Sequence, residues 1–159
     1  MNVILNKQIK TINKGDLKTI TPQTSGTEVA ELFETTDAHH LPVVDENNEA
    51  IGIISLGDYR QLQHHFTRFN LGVSVKENEK FLKSLCAHEI MTPNPVCLDI
   101  QGTLGDAIDI FISNKIHSVI ICNNKKVVGI ITPVDILKYV LYDFSTNAAL
   151  DSSTQNFID

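Results

Sequence analysis

The chain has 159 residues, which suits one compact domain or two very small units sharing a core. A hydrophobic share of 42% with 20% charged residues is that of an ordinary soluble globular protein. A formal charge of −6, with Arg60 and Arg68 the only arginines, excludes the clustered basic face that duplex nucleic acid requires.

In the N-terminal segment 1–16, Met1 to Lys10 has no apolar run of signal-peptide type, and no stretch of the chain reaches membrane-spanning length. The cysteines Cys86, Cys97 and Cys122 are odd in number and show no CxxC pair. They read as reduced thiols, so cytoplasmic residence is expected.

A first unit occupies 17–63. It starts with an extended piece from Lys18 to Thr21, then an amphipathic helix carrying Val29, Leu32 and Phe33 on one face. Two apolar runs, Leu41 to Val44 and Ile51 to Ile54, flank the polar turn Asp45 to Glu49, and a helix starts near Asp58. Residues 64–86, with Phe66, Phe69, Phe81 and Leu82 among polar neighbours, predict a partly helical connector.

Residues 87–142 repeat the layout: an extended piece from Val96 to Asp99, a helix bearing Leu104, Ala107, Ile108 and Phe111, then strands Val119 to Cys122 and Val127 to Ile131. A last helix runs from Val134 to about Phe144, and 143–159 is a polar tail expected to fray. Both copies contain Gly-Ile-Ile-[Ser/Thr]-x-x-Asp, at Gly52 and Gly129, so the offset is 129 − 52 = 77. At that offset Ala30 meets Ala107 and His40 meets His117, with one extra residue expected in Thr24 to Thr27. The fold class is therefore α/β (α+β): two β-α-β-β-α repeats packed through their sheets with pseudo-two-fold symmetry.

Thr132 is a natural helix N-cap, with Pro133 at the first helical position and Asp135 at the third; Ser55 and Asp58 repeat the cap and the acid. Capping and the helix dipole alone account for both hydroxyl–carboxylate pairs. The same geometry also suits a phosphate at the helix start and a ribose on the carboxylate.

The run His40-Leu41-Pro42-Val43-Val44-Asp45, the motif from Ile51 to Asp58, the lead-in Glu89-Ile90-Met91-Thr92-Pro93 and the motif from Val128 to Asp135 together resemble a tandem pair of CBS (cystathionine-β-synthase) domains, a Bateman module. The resemblance covers residues 17 to about 142. It implies a non-catalytic sensor that binds AMP, ADP, ATP, NAD or S-adenosylmethionine between its units and requires no cofactor. It also implies a homodimer, with four units in a disc, and a separate regulated protein as partner. Carried over by position, Thr132 with Asp135 and Ser55 with Asp58 would serve phosphate and ribose. Thr19 and Ile20, and Cys97 and Leu98, would hold adenine. His40, Leu41 and Pro42, and His117, Ser118 and Val119, would form the opposite walls.

Cys97 stands where a Thr is common, and Val119 replaces the Pro found at Pro42. Arg60 in the first copy and Lys138 in the second are the only cations near the phosphate ends, so an AMP-like ligand fits better than ATP. A ligand-free dimerisation or docking module is the alternative. The pairs His39-His40 and His64-His65 do not suit joint chelation of one metal, because adjacent side chains diverge. No GxSxG, HExxH, P-loop or GxGxxG motif supports an enzyme.

Overall fold

A short helix α1 (Asn2–Leu5) and a 3-10 turn (Ile9–Thr11) open the computed structural model, which describes residues 2–12, 17–69 and 75–154. The first unit comprises α2 (Gly26–Thr35), β1 (His40–Val44), β2 (Ala50–Ser55) and α3 (Leu56–Phe69). Helices α4 (Val75–Ser84) and α5 (Ala87–Ile90) and the strand β3 (Thr92–Pro93) come next. The second unit is β4 (Cys97–Asp99), α6 (Leu104–Asn114), β5 (Val119–Asn123), β6 (Lys126–Ile131) and α7 (Pro133–Thr154).

The duplicated α+β architecture read from the sequence is present, as two three-stranded sheets ordered β1-β2-β3 and β4-β5-β6. The extended piece expected at Lys18 to Thr21 makes a single parallel bridge, Ile20 to Val43, where the second copy forms the parallel strand β4. Helix α7 does not end near Phe144 but continues to Thr154. Between those residues there is no Gly or Pro to stop it, and Ala148, Ala149 and Leu150 favour helix.

Backbone pairing corrects the expected register. Ser25 caps α2 and Thr103 caps α6, an offset of 103 − 25 = 78. The bridge Ile20–Val43 matches Leu98–Ile121 at the same offset. Only after the hairpin turn does it fall to 77, because Leu41 faces Ile54 whereas Val119 faces Ile131. The missing residue therefore lies in the second hairpin turn and not around Thr24 to Thr27. Val29 is the counterpart of Ala107, and His39 that of His117. Packing agrees with this alignment: Leu41 and Val43 join the first core and Val119 and Ile121 the second, while Val44, Ile120 and Cys122 on the opposite faces meet between the sheets.

Each unit is completed by a segment from outside itself. Cys86 bridges to Ser25, Gly26 N donates to Leu85 O at 2.7 Å, and Ala87 N donates to Thr24 O at 2.8 Å. Seventy-eight residues away by the same alignment, Gln8 bridges to Thr103, Leu104 N donates to Lys7 O at 2.8 Å, and Ile9 N donates to Gly102 O at 2.9 Å. Ala87 and Ile90 accordingly join the core of the first unit, and Ile9 and Ile12 that of the second. A third cluster, Val44, Ile120, Cys122 and Val127, joins the two sheets. Burial there pushes the Cys122 thiol up to about 12, so it stays protonated.

The close approach at α2 requires Gly26, since a Cβ there would collide with the carbonyl oxygen of Leu82, a backbone atom. Gly26→Ala should destabilise the fold by about 1–3 kcal/mol in urea titration. Gly105→Ala, whose nearest neighbour would lie 3.4 Å away, should be neutral or stabilising by about 0.5–1 kcal/mol.

Candidate functional site

The helix start that follows β6 closes as a capping box, and the one that follows β2 shares its side-chain bonds. Thr132 Oγ1 donates to Asp135 Oδ2 at 2.6 Å, Thr132 N donates to the same oxygen at 2.9 Å, and Asp135 N donates to Thr132 Oγ1 at 3.3 Å. Ser55 Oγ donates to Asp58 Oδ2 at 2.7 Å, and Asp58 N donates to Ser55 Oγ at 2.9 Å. The capping explanation thus holds in both copies. It uses one oxygen of each carboxylate, and Oδ1 has no protein partner among the described residues. Asp135 is half-buried and Asp58 is exposed, so the second-copy carboxylate sits where hydrogen bonds are less diluted by water.

Each box opens on a cleft whose far wall belongs to the other unit. Around Thr132 and Asp135 the cleft holds about 1130 Å³ and is bounded by Leu17, Lys18, Asp37, His39 and His40, with Lys138 on α7. Around Ser55 and Asp58 it holds about 320 Å³ and is bounded by Pro95, Val96, Lys115, His117 and Ser118. These are equivalent positions at the offset of 78: Leu17 and Lys18 answer Pro95 and Val96, Asp37 answers Lys115, and His39 answers His117. The copies have diverged in charge. The larger cleft carries Lys18 and Lys138 against Asp37 and Asp135, and the smaller carries Lys115 against Asp58.

The sequence-selected residues fall into three groups. Thr132, Asp135, Ser55, Asp58, His40, His117 and Ser118 line the clefts. Leu41, Pro42 and Val119 are buried within the sheets, and Ile20 lies in the first core, so none of them forms a wall. Thr19 and Cys97 stand one position beyond the lining residues and Leu98 two, the lining being Leu17 and Lys18 in one cleft and Pro95 and Val96 in the other. Lys18, Asp37, His39 and Lys115 are lining residues that sequence reasoning missed. Aligning the two caps Ser25 and Thr103 would have found His39 as the twin of His117. Arg60 lines neither cleft.

This arrangement belongs to a known family, which matches residues 9–65 and again 87–142. The chain belongs to the CBS domain family. The first hairpin and the start of its capped helix fall in one CBS match, and their second-copy counterparts in the other. Among curated relatives, the uncharacterised protein MJ1232 of Methanocaldococcus jannaschii is 29% identical over 145 residues, covering 91% of this chain and 43% of its own length. The chain spans less than half the length of the curated relatives it matches.

Two solved CBS structures share the fold. CBSX2 in complex with AMP has a TM-score of 0.68 at 21% identity, covering 86% of this chain and 97% of that one. The CBS pair of MJ0100 in complex with 5′-methylthioadenosine and S-adenosyl-L-methionine has a TM-score of 0.68 at 22% identity, covering 86% and 98%.

His40 and His117 border both clefts of this CBS pair. Burial lowers the pKa of His40, His39 and His117 lower it further, and the Asp58 and Asp135 carboxylates pull it back up. The folded state therefore favours neutral His40 more than the unfolded chain does. That contribution is complete above the ordinary value of 6.5 and is lost as the pH falls below it towards the lowered folded value. The melting temperature should fall as the pH is taken below 6.5, and His40→Gln should make that pH dependence shallower.

Proposed function

We propose that the chain is a non-catalytic sensor of an adenosine-containing ligand, AMP-like in charge, which signals occupancy to a separate protein. The carrying observation is the larger cleft, where a free carboxylate oxygen of Asp135, a capped helix start and two lysines face one space of about 1130 Å³. In the proposed pose the ribose hydroxyls donate to Asp135, the phosphate lies at the start of α7 near Thr132, and Lys18 and Lys138 offset its charge. Two lysines opposed by Asp37 suit a monophosphate better than the charge of ATP. The AMP complex of CBSX2 and the methylthioadenosine and S-adenosyl-L-methionine complex of MJ0100 support the ligand class.

Ligand filling the site to one hundred times its dissociation constant should stabilise the fold by about 2.7 kcal/mol in a thermal-shift titration. Asp135→Ala should weaken AMP binding by roughly tenfold or more, beyond the loss of about 1 kcal/mol due to the cap. Asp58→Ala should disturb AMP binding less. If neither AMP nor any of ADP, ATP, NAD and S-adenosylmethionine moves the melting temperature, the sensor reading fails and a ligand-free docking module replaces it.

The proposed assembly is a homodimer placing four CBS units in a disc, in the cytoplasm. Val134, Leu137 and Leu141 form an exposed apolar stripe on α7 at helical spacing. Their counterparts at the start of α3 include Gly57 and Arg60, so the apolar face is concentrated on one side of the pair. Sedimentation should find a dimer that Leu137→Asp converts to monomer; a monomeric wild type rules this assembly out.

A further inference from the structure

We propose that Cys86, His88 and Glu89 bind one divalent transition metal ion of borderline softness, with Zn²⁺ the best fit. The thiol, one imidazole nitrogen and one carboxylate oxygen all lie within 4.8 Å of one another. Small side-chain rotations bring sulfur, nitrogen and oxygen donors at that separation onto one ion at ordinary Zn–S, Zn–N and Zn–O lengths. The mixed donor set disfavours Mg²⁺ and Ca²⁺, which take oxygen.

Four comparable helix starts supply an internal standard. Ser25 with Glu28, Ser55 with Asp58, Thr103 with Asp106, and Thr132 with Asp135 all join a hydroxyl to a carboxylate, at 2.9, 2.7, 2.8 and 2.6 Å. At Cys86 the same position carries a thiol, a poor cap because sulfur is a weak acceptor. Glu89 N also donates to Cys86 O at 2.9 Å. Cys86 and Glu89 close the same capping box, so the turn is served there as well, but a hydroxyl would serve it better and the sulfur adds a soft donor that the other four starts lack.

The pseudo-symmetric partner of this turn is a second standard. Gln8 to Thr11 occupies the equivalent place against the second unit, with two of the same backbone clamps, and offers no thiol, imidazole or carboxylate. The fold needs the turn but not these side chains.

The turn is also held in place before any ion arrives. Ala87 N donates to Thr24 O at 2.8 Å and His88 N to Pro22 O at 3.1 Å, while Cys86 N donates to Glu89 Oε2 at 2.8 Å. The last bond orients the carboxylate and leaves Oε1 for the metal, a supporting contact of the kind that tunes metal sites. His88 and Glu89 are exposed and Cys86 half-buried, so an ion has access. On binding, the thiol proton leaves to solvent and the thiolate takes the metal. Three protein donors leave a coordination position for water.

The test is titration of the full chain with Co²⁺, read by sulfur-to-cobalt charge-transfer absorption, and then displacement by Zn²⁺. One equivalent should bind and a chelator should reverse it. Cys86→Ser restores the hydroxyl used at the other four starts, so it should fold normally while losing the absorption. His88→Ala and Glu89→Gln should each weaken binding by at least about tenfold. Cys97→Ser and Cys122→Ser should bind as the wild type does. The assignment is overturned if a large excess of Co²⁺ gives no absorption. It is equally overturned if the absorption survives Cys86→Ser or disappears with Cys97, or if binding depends on His39, His40 or His117.

Discussion

The structure depends on the reciprocal clamp of each lead-in against the opposite unit. Gly26 to Leu85 and Leu104 to Lys7 are the same backbone hydrogen bond made twice, and each brings apolar residues into a core that lacks them. Single units of this size bury too little surface to be stable alone. The exchange, with the apolar cluster joining the sheets, makes the pair one object. It also puts the clefts between units, because Thr132 and Asp135 face Lys18 and His39 only when both halves are locked together.

Capping and ligand binding do not compete for the two carboxylates. A capping box consumes one oxygen and fixes the rotamer, so the second oxygen is preorganised at little further entropic cost. Glu28 and Asp106, capped in the same manner but fully solvated, are held below the usual carboxylate range by hydrogen bonds from Ser25 and Thr103. They line neither cleft, which separates a cap that only caps from one that also faces a cavity.

Much of the fold was legible in the sequence, since apolar branched runs, Asn-rich turns and a repeated helix-start motif each have a direct structural cause. The alignment was less so. Identity matched Ala30 to Ala107 and His40 to His117, but apolar coincidences are common over short stretches. The pairing of β1 with β2 and of β5 with β6 fixes one register, and it pairs His39 with His117. Site residues chosen by adjacency include ones whose side chains a strand buries, as at Leu41, Pro42 and Val119. Lys18 and Lys115 escaped notice because their position depends on chain folding around the cleft rather than on any local motif.

The exchanged lead-ins also separate the genetic repeat from the physical one. Counting along the chain, residues 4–12 belong to the front half; counting by hydrogen bonds and buried surface, they belong to the back half. The two halves are therefore interleaved, and a boundary drawn anywhere between them cuts through both cores. Anything fused to or trimmed from the amino terminus is felt first beneath α6, on the side of the molecule encoded last.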